Sequence, residues 1–409
     1  MKDAVNTGKN PHGRLLEVAN NKLYALMLRG GTNNDGTLLE YDLTTNTYAK
    51  KVDFDNFVTG KLPLGSLMEA SNGKLYGGCS EGGINARGTL FEYDLTANTL
   101  TFLVHLGGIS GERYIGELLE VSTGKLYGTT TMGSGSDGIL FEYDFLLDTY
   151  MIKAPFYATT SGSEPTGRLL LASNGNIYGQ TRLGGSSGDG TLWEYTMGSS
   201  TIISLVDYEG INNGGSPKGG VIEASNGKLY GTTARNLFEY NFNTLVHTKK
   251  LDFQNSFDGQ NPIGALMQAS NSLLYGVTNQ GGFYHGGTLF EYNPISHIHT
   301  KLFDFSDSLG QHPQTKVIEG NNGKLYGMTV QGGANNKGVL FEYDLGTMIY
   351  NKLFDFSAID GITPKGNLLQ LTNGKLYGMT VFGGVNNNGV LFEFDPATNV
   401  YKGFSYKNV

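Results

Sequence analysis

The sequence predicts an all-β chain folded as an eight-bladed β-propeller, four antiparallel strands to a blade. Three observations predict it. The motif Leu-Tyr-Gly, or a close variant, recurs eight times, with its tyrosine at Tyr24, Tyr76, Tyr127, Tyr178, Tyr230, Tyr275, Tyr326 and Tyr377 and spacings of 52, 51, 51, 52, 45, 51 and 51 residues. Such a period marks an array of one supersecondary unit, because a copy of about fifty residues cannot bury a core alone and must stack on its neighbours. Each copy holds four short apolar runs bounded by turn residues, and none shows a helical stripe longer than a turn. The first and last copies are ordinary, whereas an open solenoid needs polar caps. A closed ring is therefore expected.

The reading is one propeller domain over residues 1–409, with blades at about 13–57, 65–107, 116–158, 167–209, 219–255, 264–306, 315–357 and 366–406. In the last copy strand a is Asn367 to Leu371, strand b Lys375 to Val381, strand c Val390 to Asp395 and strand d Val400 to Tyr406. The a–b connection carries Asn-Gly in most copies, as at Asn72-Gly73 and Asn373-Gly374. That dipeptide tolerates positive φ at both central residues and predicts a two-residue hairpin. The c–d turn is short, as in Thr44-Thr45-Asn46, and the b–c loop is glycine-rich, as in Gly332 to Gly338. The longest connection crosses from strand d to the next strand a, as in Ser357 to Gly366. Thr7 to Gly13 matches the second half of such a crossing, which would set the N-terminal arm at the seam with blade eight.

Strand alternation puts the b–c loops and d–a crossings on one rim, and the short a–b and c–d turns on the other. Variable loops on a rigid scaffold are where binding concentrates. Comparing copies gives the candidate ligand-binding residues: Arg29, Glu81, Arg182 and Phe382 around the glycine pair, Phe283-Tyr284-His285 in the loop of blade six, and Glu112-Arg113-Tyr114 in the crossing into blade three. Packing of these loop residues on one another is the plainer alternative. Blade five has lost its b–c loop, passing from Thr233 through Ala234-Arg235-Asn236 to Leu237, which predicts a notch in the rim.

A glutamate recurs in strand c at Glu40, Glu92, Glu142, Glu194, Glu239, Glu291, Glu342 and Glu393. Catalysis would need an acid and a base in one cleft, and eight equivalent carboxylates spread one per blade cannot converge. The structural reading prevails, and a half-buried carboxylate then needs donors. The lysine opening strand b is one, but Asn176 and Leu274 replace it in blades four and six. Backbone N–H donors are expected to complete the set, with Glu92 opposite the vacant side of Gly77.

Glycine makes up 61 of the 409 residues, charged residues 16%, and the formal net charge is −8. No run of Lys or Arg exceeds two, which argues against nucleic acid, and no apolar stretch reaches the roughly 18 residues that span a bilayer. Met1 to Asn6 carries no apolar signal segment, so the chain reads as cytosolic or as a processed form. The single Cys79 precludes an internal disulfide and reads as a small buried hydrophobe. His297-Ile298-His299 lies in a c–d turn without a carboxylate at metal spacing, and Asn34-Asp35-Gly36 and its like lack the oxygens a calcium site needs. Trp193 stands where other copies have phenylalanine, in the core. The residues imply no metal, no cofactor and no enzyme activity.

The run Asp360-Gly361, Pro364, Leu368-Leu369, Asn373-Gly374-Lys375-Leu376-Tyr377-Gly378, Gly383-Gly384 and Gly389-Val390-Leu391-Phe392 resembles the GloVer tandem repeat of bacterial proteins over residues 7 to 406. The departures are blade five, which lacks the glycine pair, and blade three, which has Gly133-Ser134-Gly135. Gly-Gly followed by Phe394-Asp395-Pro396 and Tyr401 is also similar to kelch blades, without their tryptophan. Both resemblances imply a propeller and neither carries an activity. The GloVer resemblance implies a secreted or cell-surface location. The expected function is a non-catalytic binding scaffold for a glycan or protein partner; the alternative is a subunit that self-associates into a surface fibre or layer.

Overall fold

A computed structural model describes residues 8–18, 21–114, 116–133, 135–210, 212–254 and 256–406; Thr7 and Ser134 lie outside them. The fold is an eight-bladed β-propeller with four antiparallel strands per blade in the chain order a-b-c-d. The chain divides into two compact units, one holding blades one to four (through Tyr208) and one holding blades five to eight (Glu209–Tyr406). One short 3-10 turn, Gly108–Ser110, is the helical content of the described residues.

The final blade shows the pattern. Its strands are Ile362–Gln370, Leu376–Phe382, Val390–Asp395 and Val400–Ser405. Strand a starts earlier than expected, because the crossing itself joins the ladder: Ile362 pairs Phe382 and Pro364 pairs Thr380 before the register shifts. The N-terminal arm does the same in its own blade, with Lys9 opposite Arg29 and Pro11 opposite Met27. In blade two the ladder there is reduced to the bridge Lys61–Glu81 and the two-residue strand Met68–Glu69.

The a–b turn corrects the two-residue hairpin. Gly73 has φ +74, while Asn72 is not left-handed. Gly73 N–H donates to the Ala70 carbonyl and Ala70 N–H to the Lys74 carbonyl, so the loop has three residues and ends on a left-handed glycine. Asparagine is there for its side chain: its oxygen accepts the Lys74 N–H and its Nδ2 donates to the Tyr76 hydroxyl.

The Leu-Tyr-Gly motif now has a role for each residue. Leu75, Leu126, Leu229 and their counterparts are fully buried. The tyrosine hydroxyl donates to the strand-c glutamate in all eight blades, at 2.6 Å for Tyr76–Glu92 and 2.8 Å for Tyr178–Glu194. The glycine makes room for an aromatic ring: a Cβ on Gly128 would lie 2.4 Å from Cζ of Phe141, and one on Gly179 2.3 Å from the Trp193 indole. Blade one has Ala25 at this place, and its partner across the ladder is Leu39, so the larger residue is tolerated where the ring is absent. Glu92 therefore pairs with Tyr76, and Gly77 faces Phe91; the expected Glu92–Gly77 juxtaposition is one residue out of register. The donors are also side chains, not backbone N–H groups. Lys74 Nζ lies 2.6 Å from Glu92, and Asn176 Nδ2 does the same work for Glu194 at 2.9 Å. In blade six the residue in the lysine position is Leu273, one before Leu274, and the tyrosine donates to Glu291 at 2.8 Å.

Cys79 and Trp193 are fully buried, as expected. Burial pushes the Cys79 thiol well above its ordinary range, so it stays protonated and unreactive.

Candidate functional site

In blades two, four, six, seven and eight the loop end is built by one set of contacts. The second glycine of the b–c loop donates its N–H to the preceding crossing: Gly83 to Asn56 O at 2.7 Å and Gly185 to Ala158 O at 2.7 Å in the first unit, Gly282 to Ser256 O at 2.6 Å and Gly333 to Asp307 O at 2.7 Å in the second. The first glycine lets the crossing come close, since a Cβ on Gly82 would sit 2.5 Å from the Asn56 carbonyl. A residue from the end of strand d then holds the loop tip. Asp53 accepts the N–H of Thr32, Asp304 that of Phe283 and Asp355 that of Ala334, while His105 and Ser405 accept from Ile84 and Val385. Sequence reasoning did not single out these holders; their signal is a polar residue recurring at the close of strand d.

A second device was also missed. The residue before the strand-a proline, or before Tyr114 in blade three, has positive φ in every blade: Asn10, Leu62, Arg113, Glu164, Ser216, Asn261, His312 and Thr363, between 47° and 58°. The left-handed region costs free energy for residues other than glycine. Here it turns an N–H toward the loop of the blade before: Leu62 to Asp35 O at 3.0 Å, Arg113 to Arg87 O at 2.9 Å, and His312 to Gly286 O at 2.8 Å.

On this frame the candidate residues separate into three groups. Glu81, Glu112 and Arg182 are tied into ion pairs with Lys61 at 3.3 Å, Arg87 at 3.0 Å and Glu164, and so brace the loops. Arg29, Arg113, Phe283, Tyr284, His285 and Phe382 are exposed. Phe283 and Tyr284 meet edge to face, centroids 4.9 Å apart, and remain 67% and 56% exposed. Tyr114 is the correction. It is completely buried against Phe141, because blade two has Gly78 where other blades carry Leu26, Thr129 or Met328, and a Cβ on Gly78 would fall 2.6 Å from the Tyr114 ring. The tyrosine fills the space that glycine leaves.

The loop tips carry apolar side chains that nothing covers within the chain. The residue after the glycine pair is Ile84 in blade two and Val385 in blade eight, each 77% exposed, alongside Phe57 and Val58 in one crossing and Ile359 in another. Blade five does have its notch. Ala234 and Arg235 replace the loop, and with Phe253, Gln254, Gln260 and Asn261 they line a cleft of about 300 Å³.

The paired histidines are structural. His297 holds the left-handed position of its turn, at φ 60°, with Nδ1 3.1 Å from the Tyr292 hydroxyl. His299 packs on Phe290 and Phe253. Among the described residues no cluster of His, Cys, Asp and Glu could hold a metal.

A family model for the Gloeobacter/Verrucomicrobia repeat matches residues 2–156, 116–245 and 237–407. The chain belongs to this repeat family. Among curated proteins, none matches it in sequence. Solved structures share the fold. Dipeptidyl peptidase 4 of Porphyromonas gingivalis is similar at 9% identity and a TM-score of 0.54 over 98% of this chain and 60% of that one. The S511A mutant of puromycin hydrolase is similar at 13% identity and a TM-score of 0.53 over 93% of this chain and 60% of that one. An extracellular domain assigned to a one-component system of B. thetaiotaomicron has 13% identity and a TM-score of 0.38 over 95% of this chain and 60% of that one. This repeat protein thus spans about 60% of the length of each. For the two with TM-scores above 0.5, the likeness at such identities is one of fold alone.

Proposed function

We propose that this repeat protein is a non-catalytic extracellular scaffold that binds a partner through its loop rim. One observation carries the reading: large apolar side chains stand at one loop position in different blades, fixed by backbone hydrogen bonds yet open to solvent. Ile84, Phe283 and Val385 are 77%, 67% and 77% exposed. Exposed apolar groups on ordered loops suit a binding surface. The aliphatic tips favour a protein partner. The edge-to-face Phe283–Tyr284 pair and the amide-lined cleft of blade five favour a glycan, whose hydroxyls need planar donors and an aromatic face. Each strand-c carboxylate is already occupied by a tyrosine in its own blade, which supports a scaffold over an acid–base enzyme. Arrayed glycans and a labelled set of extracellular proteins, offered to the folded chain, test the reading. Binding that vanishes in the double variant Ile84→Asp, Phe283→Asp is the expected result; no binder in either set, or binding indifferent to both substitutions, would overturn it.

A second reading, self-association, is favoured by the turn end. Leu146, Leu147, Leu245, Ile295 and Met348 are 60% to 73% exposed there. Light scattering after size exclusion decides it: a strict monomer removes this alternative.

A further inference from the structure

Away from the rim, the strand-a edge of the first unit gathers two arginines on one carboxylate. Arg14 lies in the strand Lys9–Val18, Glu117 just before Leu119–Ser122, and Arg168 in Ser163–Leu171. They come from blades one, three and four and converge on one carboxylate. Arg14 Nη2 contacts Glu117 Oε1, and Arg168 Nε lies 2.8 Å from Oε2. Both carboxylate oxygens are used, and one positive charge is left over. Among the described residues neither arginine pairs with a second acid. The Nε–H of Arg14 is moreover buried without an acceptor. An unsatisfied buried donor destabilises the fold, the more so when it carries charge. Burial pulls the Arg14 guanidinium below its ordinary range, Glu117 pulls it back up and Arg168 pushes it down, so the two cations press on each other.

We propose that Arg14 and Arg168 form a receptor for the carboxylate group of a small ligand, with Glu117 holding the two guanidiniums in place. A single surplus charge calls for a monoanion. A planar carboxylate can take a guanidinium edge through two parallel N–H bonds, which a tetrahedral dianion matches less well and over-neutralises. Arg168 is 55% exposed and Glu117 10%, so the ligand enters from the Arg168 side. The strand-a residues belong to none of the loop tips, so the receptor stands apart from the rim.

Titration calorimetry on the full chain at constant ionic strength tests it, with sodium glucuronate and N-acetylglycine as probes and sulfate and chloride as comparators. Saturable one-to-one binding of at least one carboxylate, weakened tenfold or more by Arg168→Gln, is expected. Glucuronate alone would assign a sugar acid, N-acetylglycine alone a peptide terminus, and both a general carboxylate receptor. Arg14→Gln should abolish binding; should that variant not fold, the half-exposed Arg168→Gln still decides. No saturable binding of either probe, equal binding by Arg168→Gln, or a response matched by chloride overturns the proposal. Ile84→Asp with Phe283→Asp should leave the titration unchanged, which separates this receptor from the rim.

Discussion

The two ends of the blades are held together by different means. At the turn end the same side chains return: a tyrosine hydroxyl on a glutamate, in most blades a lysine beside it, and in six an asparagine steadying the hydroxyl. At the loop end the backbone contacts repeat but their makers change. Asp53, Asp304 and Asp355 hold three tips, His105 and Ser405 two others, and the tip residues range from Thr32 to Phe283. Repetition of side chains marks what each blade needs to fold. Repetition of backbone geometry under changing side chains marks a surface open to modification.

The sharpest way to break the contrast is at Glu142. It is 1% exposed, and Lys125, Lys153 and Tyr127 all surround its carboxylate. Glu142→Gln removes the charge that two lysines face, and should destabilise the protein by about 3 kcal/mol without altering rim binding. Glu92→Gln, whose carboxylate is less buried, should cost less. Denaturant unfolding with a binding assay checks both; loss of binding at unchanged stability would transfer these glutamates to the functional side.

Next in size is the glycine of the repeated motif. Gly128→Ala drives a methyl into Phe141 and should cost about 1–3 kcal/mol. Blade one, with Ala25 opposite Leu39, indicates the remedy. Phe141→Leu in the Gly128→Ala background should restore part of the loss, though the same change alone would leave a cavity. Additive losses in the double variant would refute the pairing.

Acid should act on the fold through these same groups. Burial raises the carboxyls of Glu40, Glu142, Glu239 and Glu393, but lysine and tyrosine donors outweigh it and hold each below its ordinary 4.5. Their contribution is complete above about 4.5 and drains as pH falls through the lower folded-state values. His247 acts earlier. Burial pushes its pKa down to about 4 from 6.5, so the unfolded chain binds the proton first, and stability falls as pH drops from 6.5 toward 4. A melting-temperature profile should show that first decline flattened in His247→Phe and the second retained.

How far this was legible follows from what each feature depends on. Period, turn glycines and apolar runs are local, and they gave the blades, the strand order and the missing loop of blade five. Register is set by three-dimensional fit, so the partner of Glu92 was displaced by one residue. The asparagine of Asn72-Gly73 read as a backbone signal because that dipeptide has a known turn preference, while its actual work is a side-chain bond to Tyr76. Tyr114 looked exposed because its place in the crossing was legible and its cavity was not. The cavity belongs to another blade, at Gly78, and a comparison of that column across copies would have found it.

The smallest expected effect on stability is the one that most sharpens the comparison. Phe283 and Tyr284 meet edge to face and stay largely exposed, and the loop beneath them is held by the Phe283 N–H on Asp304, a bond that changing either aromatic side chain leaves in place. Replacing both by serine should move stability by less than about 0.5 kcal/mol. Asp304→Ala does the reverse: it removes the acceptor that holds the tip and the carboxylate 3.0 Å from Lys301, while the aromatic pair stays in the sequence. If recognition depends on aromatic surface presented in a fixed place, both variants lose binding, the first through surface and the second through placement. Binding kept by Asp304→Ala and lost by the serine pair would mean that the tip adapts to its partner, and that rigidity at the loop end serves the fold alone.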